Sequence, residues 1–172
     1  MNTYFLESNH IGFSTWSNTD LELALRLWGD SEVTKFIGGP FNEEQIKERL
    51  LQEIVTLQTY NVQYWPIFLL DTNEHIGCCG LRPYKPGENI YEIGIHIKSI
   101  YWNKGYAFEA MQAIAEYAFT ILRVAGLFAR FDPLNQMSMK ILVKLGFQYV
   151  DDYSSPNGKS HPTYMLWRNK DS

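Results

Sequence analysis

The segment from residue 91 to residue 122 constrains the fold most. YEIGIHI, at 91–97, places isoleucine at every second position, which is the pattern of a β-strand buried on one face. A short turn containing Gly105 follows, and residues 107–122 then space their apolar side chains as an amphipathic helix does. A buried strand, a tight turn and a helix in direct succession predict a sheet covered by helices.

The rest of the chain alternates strand-like and helix-like segments in the same way. We predict strands at 10–16, 65–70, 75–81, 127–131, 147–152 and 163–168, and helices at about 21–28, 42–58 and 135–145. No repeat, low-complexity tract or flexible linker divides the 172 residues, a length that fits one domain. The sequence therefore predicts a mixed α/β (α+β) fold, a single domain over residues 1–172 with a mixed sheet and about four helices.

Composition excludes several classes of protein. The net charge is −4 and no basic stripe is present, so we expect no nucleic-acid partner. The start, MNTYFLESNH, has no basic and apolar leader, and no stretch of about 18 apolar residues occurs, so we expect a cytoplasmic protein without a membrane partner. Adjacent Cys78 and Cys79 would point to opposite faces of a strand, as small core residues rather than a disulfide or metal pair, and we expect no metal. The aromatic fraction of 15% fits either a large core or a ring-lined groove.

The turn around Gly105 has the properties of an anion site. Glycine has no Cβ, so a ligand can approach its backbone closely. The first N–H groups of the following helix lack partners within the helix, and the helix dipole adds partial positive charge, so a diphosphate fits there beside Lys104. Spacing alone leaves a plain connecting turn equally open. The patterns G-x-x-x-x-G-K-[ST] and G-x-G-x-x-G are absent, which argues against nucleotide hydrolysis and dinucleotide binding.

Two motifs resemble one protein family. WNKGYA at 102–107 is similar to the acetyl-CoA pyrophosphate loop of the GNAT superfamily, [RQ]-x-x-G-x-[GA], and YWNKGYAFEA resembles the variant YWGKGYATEA of its ribosomal-protein N-terminal (alanine) acetyltransferase branch. DPLNQMSMKILVKLGF at 132–147 resembles that branch's D-P-x-N-x-x-S-x-x-x-L-x-K-L-G-F. Weaker similarity extends over about residues 5–168. Two ordered motifs at the right separation are more specific than either alone.

Three positions depart from the pattern of the wider superfamily. Trp102 stands where Arg or Gln is usual, as it does in this branch. Asn103 replaces a glycine, and asparagine tolerates the left-handed conformation well. Leu142 occupies the position at which many members carry a tyrosine acid, so their mechanism cannot be copied unchanged.

The resemblance implies a strongly twisted sheet whose two central strands splay apart. The pantetheine arm of acetyl-CoA would lie in the gap and pair with the strand at 95–97, and the pyrophosphate would sit on the N–H groups of residues 103–108. Asn135 would reach the pantetheine or its bound water, and Ser138 would lie near the sulfur. The cofactor-binding residues implied in this way are Ile95, His96, Ile97, Trp102, Asn103, Lys104, Gly105, Tyr106, Ala107, Phe108, Asn135 and Ser138.

The implied chemistry needs a base for the amine and help for the departing thiolate. A thioester is already activated, so a neutral amine held in line can attack it directly. Glu92 is the candidate base because it starts the strand beside the cofactor; the alternative is a solvated or salt-bridged glutamate. Ser138 is the candidate that assists the thiolate; the alternative is a first-turn serine that stabilises its own helix. For the side chain of His96, packing within the sheet is the favoured interpretation.

Analogy with the branch places the acceptor pocket between the first two helices and the last hairpin. Aromatic walls there could hold an ammonium group by cation–π contact, or could equally belong to the core. The predicted wall residues are Trp28, Phe36, Tyr84, Tyr91 and Tyr153.

The resemblance therefore predicts an N-acetyltransferase that moves the acetyl group of acetyl-CoA to a primary amine in a ternary complex. The acceptor would be a protein N-terminus, a polyamine or another small amine, and the fold does not choose among them. We expect a monomer or a homodimer. Two alternatives stay open: a catalytically inactive acetyl-CoA sensor or scaffold, supported by the leucine at position 142, and an unrelated α/β phosphate-binding protein.

Overall fold

Residues 3–168, which the computed structural model describes, form one eight-stranded sheet with five α-helices. The strands are Leu6–Glu7 (β1), Ile11–Phe13 (β2), Tyr64–Leu69 (β3), His75–Lys85 (β4), Ile90–Ile97 (β5), Gly126–Arg130 (β6), Gln148–Ser154 (β7) and Ser160–Trp167 (β8). The helices are Leu21–Trp28 (α1), Ser31–Thr34 (α2), Glu43–Tyr60 (α3), Tyr106–Thr120 (α4) and Gln136–Lys144 (α5). The predicted mixed α/β fold is confirmed.

The centre of the sheet is split between β5 and β6. The strand order is β1-β2-β3-β4-β5-β6-β8-β7, and β5 and β6 are the one parallel pair among the described strands. These two strands pair only from Ile90 to Glu92 and from Gly126 to Phe128, although β5 continues to residue 97 and β6 to residue 130. Beyond Glu92 one edge of β5 therefore faces an open gap, which is the splay that the resemblance implied.

Strand β5 separates two hydrophobic clusters. Ile93 and Ile97 contact the larger cluster, which includes Ile114 of α4. On the opposite face His96 is bonded to Trp28, which belongs to the cluster under α1 and α3. The side chains of β5 thus alternate between the faces as the sequence predicted.

Helix α3 carries a charged residue into the core. It begins with a capping box in which Asn42 and Gln45 bond each other's backbone N–H groups. Its buried face holds Ile46 and Leu50, and also Glu53, whose exposed fraction is 0%. A buried carboxylate needs polar partners, and those of Glu53 come from strands β3 and β4.

The two cysteines lie on opposite faces of β4, as predicted. Cys79 contacts the cluster under α4 and Cys78 the cluster under α1 and α3. Both are free thiols, and burial raises the pKa of each. Neither is therefore present as a thiolate nucleophile at neutral pH.

Two kinds of feature are absent between residues 3 and 168. No helix in that range is long and apolar enough to cross a membrane. The same residues contain no group of three or more His, Cys, Asp or Glu side chains placed to hold a metal ion.

The stability of the protein is expected to fall in mild acid because of His75. This side chain packs between the rings of Trp16 and Phe68, at 5.5 and 5.2 Å, and burial, with the charge of Lys98, lowers its pKa to about 3. The unfolded chain, with a histidine pKa of about 6.5, binds a proton that the folded protein excludes between these values. This contribution to stability is complete above pH 6.5 and is lost as the pH falls, by up to about 1.4 kcal/mol per pH unit.

Urea unfolding between pH 7.5 and 5 measures this effect. His75→Phe keeps the ring packing and removes the titrating group, so its free energy of unfolding should fall less steeply with acid than that of the parent protein. Equal slopes for the two proteins would contradict the assignment.

Candidate active site

Two adjoining cavities open on the gap beside β5. One has a volume of about 360 Å³ and contains Glu92; the other has a volume of about 410 Å³ and contains Gly105. We call them the Glu92 cavity and the Gly105 cavity. The residues that line both are Phe36, Ile37, Ile95, His96, Asn135, Ser138 and Ile141. Ligands in the two cavities would therefore meet at this shared wall.

The turn before α4 has the geometry of an anion site. Asn103 has a φ of 60° and Gly105 a φ of 85°, both in the left-handed region. Gly105 is the N-cap of α4, and within residues 3–168 no side chain caps the first N–H groups of that helix. A Cβ built at Gly105 would meet no protein atom within 4 Å, so the space in front of the turn is open to a ligand.

The turn is fixed to the end of β5 by one aromatic side chain. The indole N–H of Trp102 donates to the carbonyl oxygen of Ile97 over 2.8 Å. Trp102 therefore holds the Gly105 turn against the free edge of β5. This structural role does not need the Arg or Gln that the wider superfamily has here.

The predicted cofactor-binding residues converge on the Gly105 cavity with one exception. Eleven of the twelve line it, whereas Lys104 is not part of the wall and lies 5.4 Å from the ring of Tyr101. Lys140 and Lys144 of α5 line the cavity and supply the positive charge that we had assigned to Lys104. Both belong to the 132–147 motif, and their helical spacing of four residues could have indicated a shared face.

Asn135 and Ser138 stand where the two cavities meet. The side-chain oxygen of Asn135 accepts the backbone N–H of Ser138 over 3.2 Å and so caps α5. The amide nitrogen of Asn135 is free to serve a ligand, and so is the hydroxyl of Ser138, since neither has a hydrogen-bond partner among residues 3–168. Capping and ligand contact are thus compatible in Asn135.

Glu92 is held by a buried tyrosine at the point where the strands separate. The hydroxyl of Tyr64 donates to Oε1 of Glu92 over 2.6 Å. Burial and the charge of Glu92 raise the pKa of Tyr64, so the phenol remains a donor. Glu92 is therefore partly buried and hydrogen-bonded, and it forms no ion pair within residues 3–168, although Arg82 is its cross-strand neighbour.

Arg82 and Tyr64 are themselves held by the buried carboxylate of Glu53. Arg82 donates to one oxygen of Glu53, and the backbone N–H of Tyr64 donates to the other over 2.8 Å. The guanidinium of Arg82 also lies 4.1 Å from the centre of the Tyr64 ring. Glu53, Arg82, Tyr64 and Glu92 thus form a continuous polar chain from α3 to the cavity wall.

The protonation state of His96 follows from its contact with Trp28. The indole N–H of Trp28 donates to Nδ1 of His96 over 3.1 Å, and an indole nitrogen can only donate. Nδ1 is therefore an acceptor, and the ring proton is on Nε2. Burial lowers the pKa of His96 well below its ordinary value, so the ring is neutral and lines both cavities as an N–H donor.

Four of the five predicted acceptor-wall residues line neither cavity. Phe36 lines both cavities. Trp28 has an exposed fraction of 0%, and its indole N–H donates to His96. Tyr84 stacks on Phe128 outside the cavities, Tyr91 packs against the core below α4, and the ring of Tyr153 lies 4.0 Å from Arg130. The Glu92 cavity is lined instead by charged side chains whose convergence depends on the register of distant strands: Arg49, Arg82, Arg130 and Asp132.

Comparison with known proteins identifies the family. The model of the acetyltransferase (GNAT) domain matches residues 10–148. The chain belongs to the GNAT acetyltransferase family. It is 31% identical over 152 residues to the uncharacterized N-acetyltransferase p20 of Bacillus licheniformis, covering 86% of this chain and 85% of p20.

Solved GNAT structures share the fold. An acetyltransferase of this family from Bacillus anthracis superposes with a TM-score of 0.81 at 25% identity, over 94% of this chain and 97% of that one. RimL, a ribosomal L7/L12 alpha-N-protein acetyltransferase in complex with coenzyme A, gives 0.79 at 14% identity, over 94% and 96%. Spermidine N-acetyltransferase from Vibrio cholerae, in complex with coenzyme A and spermine, gives 0.79 at 14% identity, over 94% and 97%.

Proposed function

We propose that this GNAT protein transfers the acetyl group of acetyl-CoA to a primary amine by direct attack within a ternary complex. The observation that carries the proposal is the shared wall of the two cavities. One cavity contains an anion site and the other a held carboxylate, and they meet at Ile95, His96, Asn135 and Ser138. A donor and an acceptor bound side by side would place their reacting groups at this wall.

The Gly105 cavity is the proposed site of acetyl-CoA. The N–H groups of residues 103–108 would bind the pyrophosphate, with Lys140 and Lys144 nearby. The free edge of β5 at 95–97 would pair with the pantetheine arm, and Asn135 would donate its amide N–H to it. Two structures of the same fold hold coenzyme A, which supports acetyl-CoA as the donor.

The Glu92 cavity is the proposed site of the amine. Glu92 would accept the proton of the attacking amine, and Tyr64 holds its carboxylate in position. Backbone N–H groups on the free edge of β5 would stabilise the developing oxyanion. Acetyl-CoA contributes an activated thioester to this arrangement.

Ser138 is the proposed donor toward the leaving sulfur. Leu142 lines the Glu92 cavity at the position of the usual tyrosine acid and has no proton to give. Ser138 lies one helical turn earlier, its hydroxyl is unpartnered among the described residues, and it lines both cavities. The N–H of His96 offers a second donor at the same wall.

Release of free thiol from acetyl-CoA tests the proposal. A panel of amino acids, aliphatic amines, polyamines and short peptides should contain acceptors that raise thiol release well above the rate with acetyl-CoA alone, with an acetylated product of the expected mass. Tight binding of acetyl-CoA by calorimetry without release under any acceptor would contradict the proposal and favour a sensor.

A second prediction concerns the affinity of the Gly105 turn for acetyl-CoA. Gly105→Val should weaken acetyl-CoA binding at least tenfold, or about 1.4 kcal/mol, because a branched side chain would fill the space in front of the N–H groups. Gly158→Val is the matched control: Gly158 has a φ of 81°, a Cβ there would also meet nothing within 4 Å, and it lies in the β7–β8 turn away from both cavities. Equal acetyl-CoA affinity for the two variants in calorimetry would remove the phosphate site from this turn.

A further inference from the structure

The Glu92 cavity contains more positive than negative charge. Its charged lining residues are Arg49, Arg82, Arg130, Glu92 and Asp132. Two of these are neutralised by other parts of the protein, since Arg82 is paired with Glu53 and Asp132 lies 3.6 Å from Lys159. Glu92 is then the one carboxylate lining this cavity, within residues 3–168, that can face the amine of the acceptor.

Two arginines in this cavity have no carboxylate partner among residues 3–168. The guanidinium of Arg49 is bracketed by the rings of Trp28 and Phe41, at 5.2 and 5.4 Å, and its buried Nε has no hydrogen-bond partner. Arg130 donates from Nε to the hydroxyl of Thr163 and stacks on Tyr153, without an acidic partner. The strongest interaction of a partly buried guanidinium is a charge-assisted hydrogen bond to an anion, and these two arginines do not form one within residues 3–168.

The position of Arg49 makes this lack costly. Burial and the nearby charge of Arg82 lower the pKa of Arg49. The guanidinium is still charged at neutral pH, but its charge is less favourable in the folded protein than in water. An anion bound in the cavity would relieve both effects. The planar fork of arginine matches a carboxylate in geometry, and a bidentate pair in a partly buried site is strong and specific.

We infer that the acceptor carries a carboxylate beside its amine, as a free amino acid does, and that Arg49, with Arg130, binds this carboxylate while the amine lies toward Glu92. The inference rests on the proposed function and names its substrate class. A cavity of about 360 Å³ has the size of a small-molecule site. A polyamine would bring only positive charge to these arginines. The first residue of a protein has no free α-carboxylate, because that group forms a peptide bond. Polyamines and protein N-termini are therefore disfavoured as acceptors.

Matched acceptors test this class directly. Each standard amino acid is compared with its decarboxylated amine and with its amide, and kcat/KM is expressed per neutral amine so that differences in amine pKa do not enter. The best amino acid should exceed its decarboxylated and amidated forms at least tenfold. Spermidine and a short peptide should be poorer acceptors than that amino acid.

Arg49→Gln should lower kcat/KM for the best amino acid at least tenfold and leave that of its decarboxylated amine within twofold. Arg49→Lys should retain part of the preference, because it keeps the charge and loses the fork. Arg26→Gln, which removes an exposed arginine of α1, is the control and should change neither value. Melting temperature and acetyl-CoA affinity are measured for each variant to show that it is folded.

The possible outcomes separate the inference from the proposed function. Efficient acetylation of amines with no preference for a carboxylate would overturn the inference and leave the acetyltransferase intact. An equal loss with both acceptor classes in Arg49→Gln would also overturn it, since the arginine would then serve structure alone. Absence of thiol release with every acceptor would overturn both.

Discussion

Glu92→Gln is expected to lower kcat by about 10²–10⁴ while the affinity for acetyl-CoA stays unchanged. A primary amine with a pKa near 10 is almost entirely protonated at pH 7, so the reaction needs a group that accepts its proton. Glu92 is held at the cavity wall by the 2.6 Å bond from Tyr64, and glutamine keeps its size and one acceptor oxygen for that bond. Raising the pH should partly rescue the variant, because the amine then arrives already neutral.

The measurement is a pH–rate profile of the parent protein and the variant with one good acceptor. Glu88→Gln, an exposed glutamate in the turn before β5, is the control and should follow the parent profile. A raised KM with parent kcat would mean that Glu92 orients the acceptor and that another path carries the proton. Parent kcat across the whole pH range would remove Glu92 from proton transfer.

Glu53→Leu should lower the free energy of unfolding by about 3–5 kcal/mol. The substitution leaves the partly buried Arg82 without its carboxylate partner and removes the acceptor of the Tyr64 backbone N–H. Urea unfolding at pH 7 measures the loss. The double variant Glu53→Leu/Arg82→Met should recover much of it, because no charge is then left without a partner.

An exposed pair on the same helix provides the comparison. Glu43 and Lys47 form an i,i+4 ion pair on the solvent side of α3, and Glu43→Gln should change stability little. A loss in Glu53→Leu no larger than that in Glu43→Gln would contradict the role of Glu53. Reduced turnover in the folded double variant would in addition show that the chain from Glu53 positions Glu92.

Most of the fold was predicted from periodicity, because the residue pattern of a long strand or helix indicates which of its faces is buried. The alternation in β5 and the helical spacing in α4 reflect burial on one face, and the structure has both. Short elements lack such a signal: β1 has two residues and α2 has four, and neither was predicted. The strand predicted at 10–16 forms only over Ile11–Phe13.

The two halves of the site were predictable to different degrees. The proposed cofactor side is lined mainly by two continuous segments, 95–108 and 135–144, so its residues stand close together in the sequence and two motifs can reveal them. The acceptor side depends on Tyr64, Arg82 and Glu92 meeting across three strands and on α3 contributing Arg49 and Glu53. Such contacts are set by strand register and helix docking, which no local pattern contains. Analogy with the branch pointed to Trp28 and Tyr84, which do not line either cavity.

Two-substrate initial-rate kinetics test the central claim most directly, because direct transfer requires donor and amine to be bound together. With acetyl-CoA and the best acceptor varied against each other, double-reciprocal plots should intersect, and no acetylated protein should accumulate when acetyl-CoA is present alone. The buried thiols of Cys78 and Cys79 offer no accessible nucleophile for a covalent intermediate. Parallel lines with a burst of acetylated protein would instead establish a ping-pong route and contradict attack at the shared wall of the two cavities.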